Sequence, residues 1–298
     1  MPNITVNGLG IEYDVVGPED GEPVLLVMGF SAQMTNWPDA FGAGIAGAGY
    51  RVIRFDNRDI GLSQQLDEHP VPSPMEVIGA LQAGKDPSSM VPYILDDMAA
   101  DAAALLDALG AKPAHVIGAS MGGMIVQLLA LNHPEYVRSL IPVMTTSGDP
   151  ALPQATPEAM QALTAQPASP GREDVIKVAL NSRRTVGSAD GVRDEDDEIL
   201  RRAGEGYDRA YRPKGVGRQY GAILAQPRWH DRLGQVSVPT MVLHGEVDPL
   251  IPPACGKDVA ARIPGASYVG LDGWGHDVPA KMIPTLVDKI VGFLNTVD

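Results

Sequence analysis

The chain has 298 residues, 44% hydrophobic and 20% charged, an ordinary balance for a globular protein able to bury a large core. Its formal net charge of −14 and isoelectric point near 4.8 argue against nucleic acid and anionic membrane as partners. No apolar run approaches the roughly 20 residues that span a bilayer. The start MPNITVNGLG lacks the pattern of a signal peptide, and the single cysteine, Cys255, excludes an internal disulfide, so a cytoplasmic protein is expected.

Short apolar runs bounded by Gly, Pro or Asp predict strands at 4–8, 11–17, 23–29, 50–56, 114–120, 139–145, 239–245 and 266–272. The first two alternate apolar and polar residues, as an antiparallel edge does. Several of the later ones are continuously apolar, the pattern of parallel strands covered on both faces. Helical spacing follows at 93–111, where Leu95, Met98, Ala102, Leu105, Leu106 and Leu109 recur before Gly110, and at 121–134, 253–264 and 279–295. Pro284 argues for a later start to the last helix. Alternating strands and helices predict an α/β fold with a mostly parallel central sheet flanked by helices.

Residues 147–232 break the alternation. They hold no convincing strand, several helical segments, and 13 basic against 13 acidic residues, in a chain otherwise strongly acidic. We expect a helical cap here, over a core made of 1–146 and 233–298. The pairs Asp197/Arg201, Glu198/Arg202 and Glu205/Arg209 are spaced i,i+4, and the arginines read as a solvated helix face. The stretch 63–92 holds five prolines and is long for a connection. It reads equally as a flap near a site or as a surface excursion.

The segment HVIGASMGGM, 115–124, carries the chemistry. Gly118-Ala119-Ser120-Met121-Gly122 fits Gly-x-Ser-x-Gly between a predicted strand and a predicted helix, which is the confirming context for a nucleophile on a sharp corner. A serine hydroxyl needs a base to take its proton and a group to orient that base. It also needs donors aimed at the oxyanion, and the Met121 N–H at the helix start is one candidate. His276, in the glycine-rich LDGWGHDVP after the last strand, is the candidate base. His115 and His133 read as structural, and His69 lies in the proline-rich loop. Asp248 in MVLHGEVDPLIP follows another strand end and is the candidate acid, with Glu246 as fallback and His244 as a packing or hydrogen-bonding residue. The order is then Ser120, Asp248, His276.

With these motifs in place the sequence resembles the α/β-hydrolase superfamily with a helical cap. GASMGG resembles its nucleophile elbow, HGEVDPLIP its acid loop and GWGH its histidine loop. VMGF, NWPDAF and VIRFDNRDIG are similar to segments of bacterial esterases of the aclacinomycin methylesterase type. The resemblance implies that Asp56 and Arg58 stabilise loops near the site and that a second oxyanion donor follows the third strand. There the chain has Met28-Gly29-Phe30 where many members have His-Gly, which leaves the backbone N–H of Phe30 as donor and puts the loop's hydrogen bonding in question. Gln33 either contacts substrate or braces that loop.

Gly29, Gln33, Met34, Met144 and Trp229 are candidate substrate-binding residues; methionine suits a loosely specific apolar pocket, and the same side chains read equally well as core. Trp37 and Trp274 read as packing. The expected activity is serine hydrolysis of small to medium apolar carboxylic esters, with no metal and no cofactor. The expected partners are a small-molecule ester and, at most, a second copy of the chain as a homodimer. A cofactor-independent perhydrolase or haloperoxidase, or a carbon–carbon bond hydrolase, would use the same triad. An aspartate-nucleophile dehalogenase or epoxide hydrolase is disfavoured by Ser120, and a non-catalytic binding protein has no need of all three residues.

Overall fold

The computed structural model describes residues 2–297, so residues 1 and 298, the outer bounds of the expected core segments, lie outside it. The chain opens with β1 (Asn3–Val6), β2 (Leu9–Val16), β3 (Pro23–Val27), α1 (Asp39–Ala46), β4 (Arg51–Phe55), α2 (Pro74–Gln82) and α3 (Leu95–Ala108). It continues through β5 (Ala114–Ala119), α4 (Met121–Asn132), β6 (Val137–Val143), then α5 (Pro157–Thr164), α6 (Arg172–Val186), α7 (Asp196–Arg209) and α8 (Pro213–Ala225). It closes with β7 (Met241–Gly245), α9 (Pro253–Arg262), β8 (Ser267–Leu271) and α10 (Ile283–Leu294).

Among the described residues the strands form one eight-stranded sheet in the order β1-β2-β4-β3-β5-β6-β7-β8. β1 and β2 run antiparallel to each other, β2 runs antiparallel to β4, and the remaining neighbours are parallel. Side chains of β3 alternate between two cores: Leu25 and Val27 face the cluster of α3, α4 and α9, while Val24 and Leu26 face that of α1 and α10. Every residue of β5 is buried, which explains its unbroken apolar run. The last helix starts at Ile283 with Pro284 in its first turn, where a missing N–H costs nothing.

Two elements went unseen in the sequence. Helix α1 buries Phe41 and Ile45, one turn apart, but glycine at 42 and 44 hides it, because each interior glycine costs a helix about 0.8–1 kcal/mol. Helix α2 lies within the proline-rich stretch 63–92, started by Ser73, whose hydroxyl accepts from the Glu76 N–H, and by Pro74. This stretch packs on the cap, with Val71 and Pro72 against Gly217 and Gly221 of α8.

Between β6 and β7 the chain forms helices and, among the described residues, no strand. The solvated face that the arginine spacing suggested holds for Arg201, which is exposed and pairs along α7 with Glu198 and Glu205 at 2.6 and 2.5 Å, but not for its neighbours. Arg202 reaches the carbonyls of Asn36 and Val278, and Arg209 reaches Asp56 at 2.7 Å. Arg212 donates to the Gly61 carbonyl. Arg218 is fully buried and donates to both oxygens of Asp59, at 2.7 and 2.9 Å, with Asp59 equally buried. The neutral insertion thus turns Arg209 and Arg218 onto acidic groups of the loop after β4, where desolvated, bidentate pairs hold geometry well.

Removing one partner of a buried pair strands the other charge, at a cost of about 3–5 kcal/mol. Arg218→Ala is therefore expected to lower unfolding free energy by that amount in urea titrations, and a loss under about 1 kcal/mol, the value of a surface pair, would refute the clamp.

Candidate active site

Ser120 sits between β5 and α4 with φ 57° and ψ −120°, a conformation that L-residues avoid and that costs about 1–3 kcal/mol. The corner is held because nothing there can relax. A Cβ on Gly118 would overlap the Gly122 carbonyl, and one on Gly122 would overlap the carbonyl of Val27 in β3. Backbone therefore lies directly on backbone, which only glycine allows. The Ser120 N–H donates to Val143 at 2.9 Å, and its carbonyl accepts from Gly123 N–H and the Thr145 hydroxyl at 2.9 and 2.8 Å.

Met121 is the first residue of α4, so its N–H has no carbonyl one turn back to bond and sits at the positive end of the helix dipole. The loop after β3 runs alongside: a Cβ on Gly29 would lie 3.0 Å from the Ser120 Cβ. The Phe30 N–H that follows has no hydrogen-bond partner among the described residues. The question raised by methionine at 28 is answered by Asn57, whose amide donates to the Met28 carbonyl at 2.9 Å. Asp56 accepts from Met34 N–H at 2.8 Å and from Leu62 N–H at 2.9 Å. Arg58 forks onto Asp101 at 2.6 and 2.7 Å. Asp56 and Arg58 thus brace loops, while Asn57, beside them, escaped the sequence analysis although it occupies the same strand end.

Asp248 lies three residues past β7, its side chain fully buried. One carboxylate oxygen accepts from the N–H groups of Leu250 and Ile251, both at 2.9 Å, and the other meets His276 Nδ1 at 2.7 Å. That contact leaves Nε2 of His276 as the free ring nitrogen. Glu246 is turned to Tyr268 and Lys257, 2.8 and 3.2 Å away, so the geometry favours Asp248. His244 is fully buried, its Nε2 2.8 Å from the Ile251 carbonyl and 3.7 Å from Asp248. Desolvation lowers its pKa, with the Ile251 contact and Asp248 opposing, and its bond to Ile251 steadies the acid loop. Nδ1 of the same ring is buried without a partner.

The three sequence-singled residues share one rim. Ser120 N–H bonds Val143 at the end of β6, and Met144 N–H bonds Leu243 of β7 at 2.9 Å. Adjacent strands are about 4.8 Å apart, so the elbow and the end of β7 are separated by about 10 Å. No hydrogen bond joins Ser120 Oγ to His276 among the described residues; in unliganded enzymes such contacts are commonly long.

The candidate pocket residues divide. Met144 is buried at φ 40° beside the elbow, and Phe30 lies with its ring 5.8 Å from that of Tyr220 on the cap. Gln33 gives its amide entirely to the cap: it donates to the carbonyls of Gly206 and Ala210 at 2.7 and 3.0 Å and accepts from Arg209. Gln33 is a brace in this structure, not a free substrate contact. Trp229 is placed in packing, one of the two readings left open for it. It lies in the same apolar cluster as Leu233 and α4, and its indole N–H donates to Gln127 at 3.1 Å. Met34 is fully buried. A groove of about 490 Å³ between α1 and α10 includes none of these residues. Among the described residues no three His, Cys, Asp or Glu side chains are grouped to hold a metal ion, and no helix is long and apolar enough to cross a membrane.

Residues 22–280 match the family model described as the alpha/beta hydrolase fold. The chain is 28% identical to rhodomycin D methylesterase DauP of Streptomyces sp. (strain C5), over 96% of this chain and 95% of that protein. It is 30% identical to the putative carbamate hydrolase RutD of Variovorax paradoxus (strain S110), over 89% of each. The crystal structure of the enol-lactonase from Burkholderia xenovorans LB400 shares the fold, with a TM-score of 0.74 at 21% identity, over 99% of this chain and 100% of that one.

His115, buried like His244, is also held below its ordinary pKa by desolvation, against Glu22. Both bind a proton less readily folded than unfolded, so stability falls as pH drops below the unfolded value of about 6.5. In urea titrations His244→Gln should lose less stability between pH 7.5 and 5.5 than the parent, by at most about 1.4 kcal/mol. Identical pH dependence in both proteins would show that the fold does not depress the pKa of His244.

Proposed function

Because the chain belongs to the alpha/beta hydrolase fold family and is a hydrolase on that ground, we propose that it is a serine carboxylesterase acting on small to medium apolar esters. Ser120 is the nucleophile, His276 the base and Asp248 its orienting acid, with the cap at 147–232 covering the site. The observation that carries the reading is the strained serine on the same rim as the Asp248–His276 contact at 2.7 Å, its carboxylate fully buried. Strain of 1–3 kcal/mol, roughly, persists where surrounding structure enforces it, and it clusters at sites of function.

The Nδ1–H of His276 donates a hydrogen bond to Asp248, which keeps the proton on Nδ1 and leaves the Nε2 lone pair to act. Ser120 Oγ attacks the ester carbonyl carbon as its proton passes to Nε2. The carbonyl π electrons move onto oxygen, and the N–H groups of Met121 and Phe30 stabilise that charge; each such donor is worth about 2.7–4 kcal/mol. The intermediate collapses, the C–O bond breaks, and the alcohol leaves with the proton from Nε2. Water then attacks the acyl-enzyme, gives its proton to the same nitrogen, and the acid departs as Ser120 recovers its hydrogen. Methyl esters of apolar acids head the substrate panel, because the methylesterase relative aligns over nearly its whole length.

Ser120→Ala is expected to abolish hydrolysis of p-nitrophenyl esters and labelling by a fluorophosphonate. Asp248→Asn, which keeps the shape but supports the wrong tautomer, should lower kcat by about 10⁴. Undiminished turnover by Ser120→Ala would remove the mechanism. Peracid formation or diketone cleavage outpacing every ester in the panel would replace the ester with the other chemistry of the same triad.

A further inference from the structure

The imidazole of His276 is held by Asp248, but its backbone is held by the cap. The His276 N–H donates to the Val186 carbonyl at the end of α6, at 2.8 Å. The His276 carbonyl accepts from the Arg183 guanidinium at 3.2 Å. Both main-chain groups of the base are thus taken by one helix end of the insertion. Its two neighbours are held from the same place. Ser188 Oγ donates to Asp277 at 2.6 Å and accepts from the Gly275 N–H at 3.1 Å, and the Ser188 N–H donates to Asp277 at 3.1 Å. Ala189 N–H continues the seam to the Gly273 carbonyl at 2.9 Å. Ser188 is 1% exposed and Asp277 5%, so water does not compete for these bonds.

Resting on the esterase reading, we propose that Ser188 and Asp277 are positioning residues for the base, and that the catalytic set is assembled only while the 186–188 turn of the cap is seated on the histidine loop. The core directs the imidazole through Asp248 and anchors the loop on either side of it, where Trp274 accepts from the Val247 N–H at 3.2 Å and its indole donates to the Asp277 carbonyl at 2.7 Å, whereas the main-chain groups of His276 itself are held by the inserted helices. Misplacing a reacting group by about 1 Å costs a rate factor of about 10², so loosening the seam acts on turnover more than on substrate affinity. Cap seating and activation of the serine are one event, and a cap that has lifted leaves an elbow without its base.

The test is a double-mutant cycle on ester hydrolysis. Ser188→Ala is expected to lower kcat about 10- to 100-fold with KM within about threefold. In the His276→Ala background, where no base remains to be positioned, Ser188→Ala should cause no further fall in the residual rate. Asp277→Asn, which retains an acceptor for Ser188, should show a smaller fall with the same non-additivity, and it carries the cycle if Ser188→Ala does not fold. An unchanged kcat, a loss confined to KM, or an equal loss in both backgrounds overturns the proposal. Ser120→Ala measured alongside separates the two failures. Inactive Ser120→Ala with unaffected Ser188→Ala removes only the positioning role, whereas active Ser120→Ala removes the esterase reading and this inference with it.

Discussion

Three backbones meet at residues 118–122 without space for a single side-chain carbon between them. β3 presses on Gly122, α4 turns back on Gly118, and the residue between has no conformation left except one that it would not choose alone. The residues proposed for catalysis are arranged around that compression. The helix that begins one residue later brings its unpaired N–H groups to the serine, and the loop after β3 passes within van der Waals distance of it. The sheet supplies the rigidity: β5 is buried on both faces and flanked by parallel neighbours, so the strain at its end cannot leak into a bending strand.

The strands and the mostly parallel sheet were legible because they rest on local pattern. A continuous apolar run can only be covered on two faces, and a Gly-x-Ser-x-Gly corner announces itself between such a run and a helix. The positions of Asp248 and His276, the proposed acid and base, past strand ends were legible for the same reason, each in a loop rich in glycine or proline. What escaped was long-range or locally unfavourable. Helix α1 is a poor helix by propensity and forms because Phe41 and Ile45 find the core. The arginines of α7 had acids at the right spacing on their own helix, yet Arg202 and Arg209 reach across to Asn36 and Asp56. Spacing along one helix says nothing about a stronger partner beneath it. Asn57 and Ser188 carry no signal of their own, since their roles exist only once distant loops are brought together.

The charge distribution has a physical sense in the folded molecule. The core segments are strongly acidic and the insertion is neutral, but its cations are not spread evenly. Arg209, Arg212 and Arg218 descend onto the loop that follows β4, where Asp56 and Asp59 are buried and bidentate contacts have few competitors. Gln219 and Gln33 complete the junction through neutral hydrogen bonds to Ser31, Arg58 and the end of α7. The loops carrying the proposed oxyanion donors and the histidine are therefore each shared between core and insertion.

The fully buried Arg218–Asp59 contact has a consequence for how this protein can diverge. An insertion of helices looks like a module that could be traded among related enzymes to change substrate. Here the exchange would leave Asp59 with no cation in a dry interior, and the incoming helices would meet a loop shaped for a guanidinium that they lack. Recombination between relatives is thereby restricted to breakpoints that move the segment after β4 together with α8, so that the two regions are inherited as a unit although Asp59 and Arg218 are 159 residues apart.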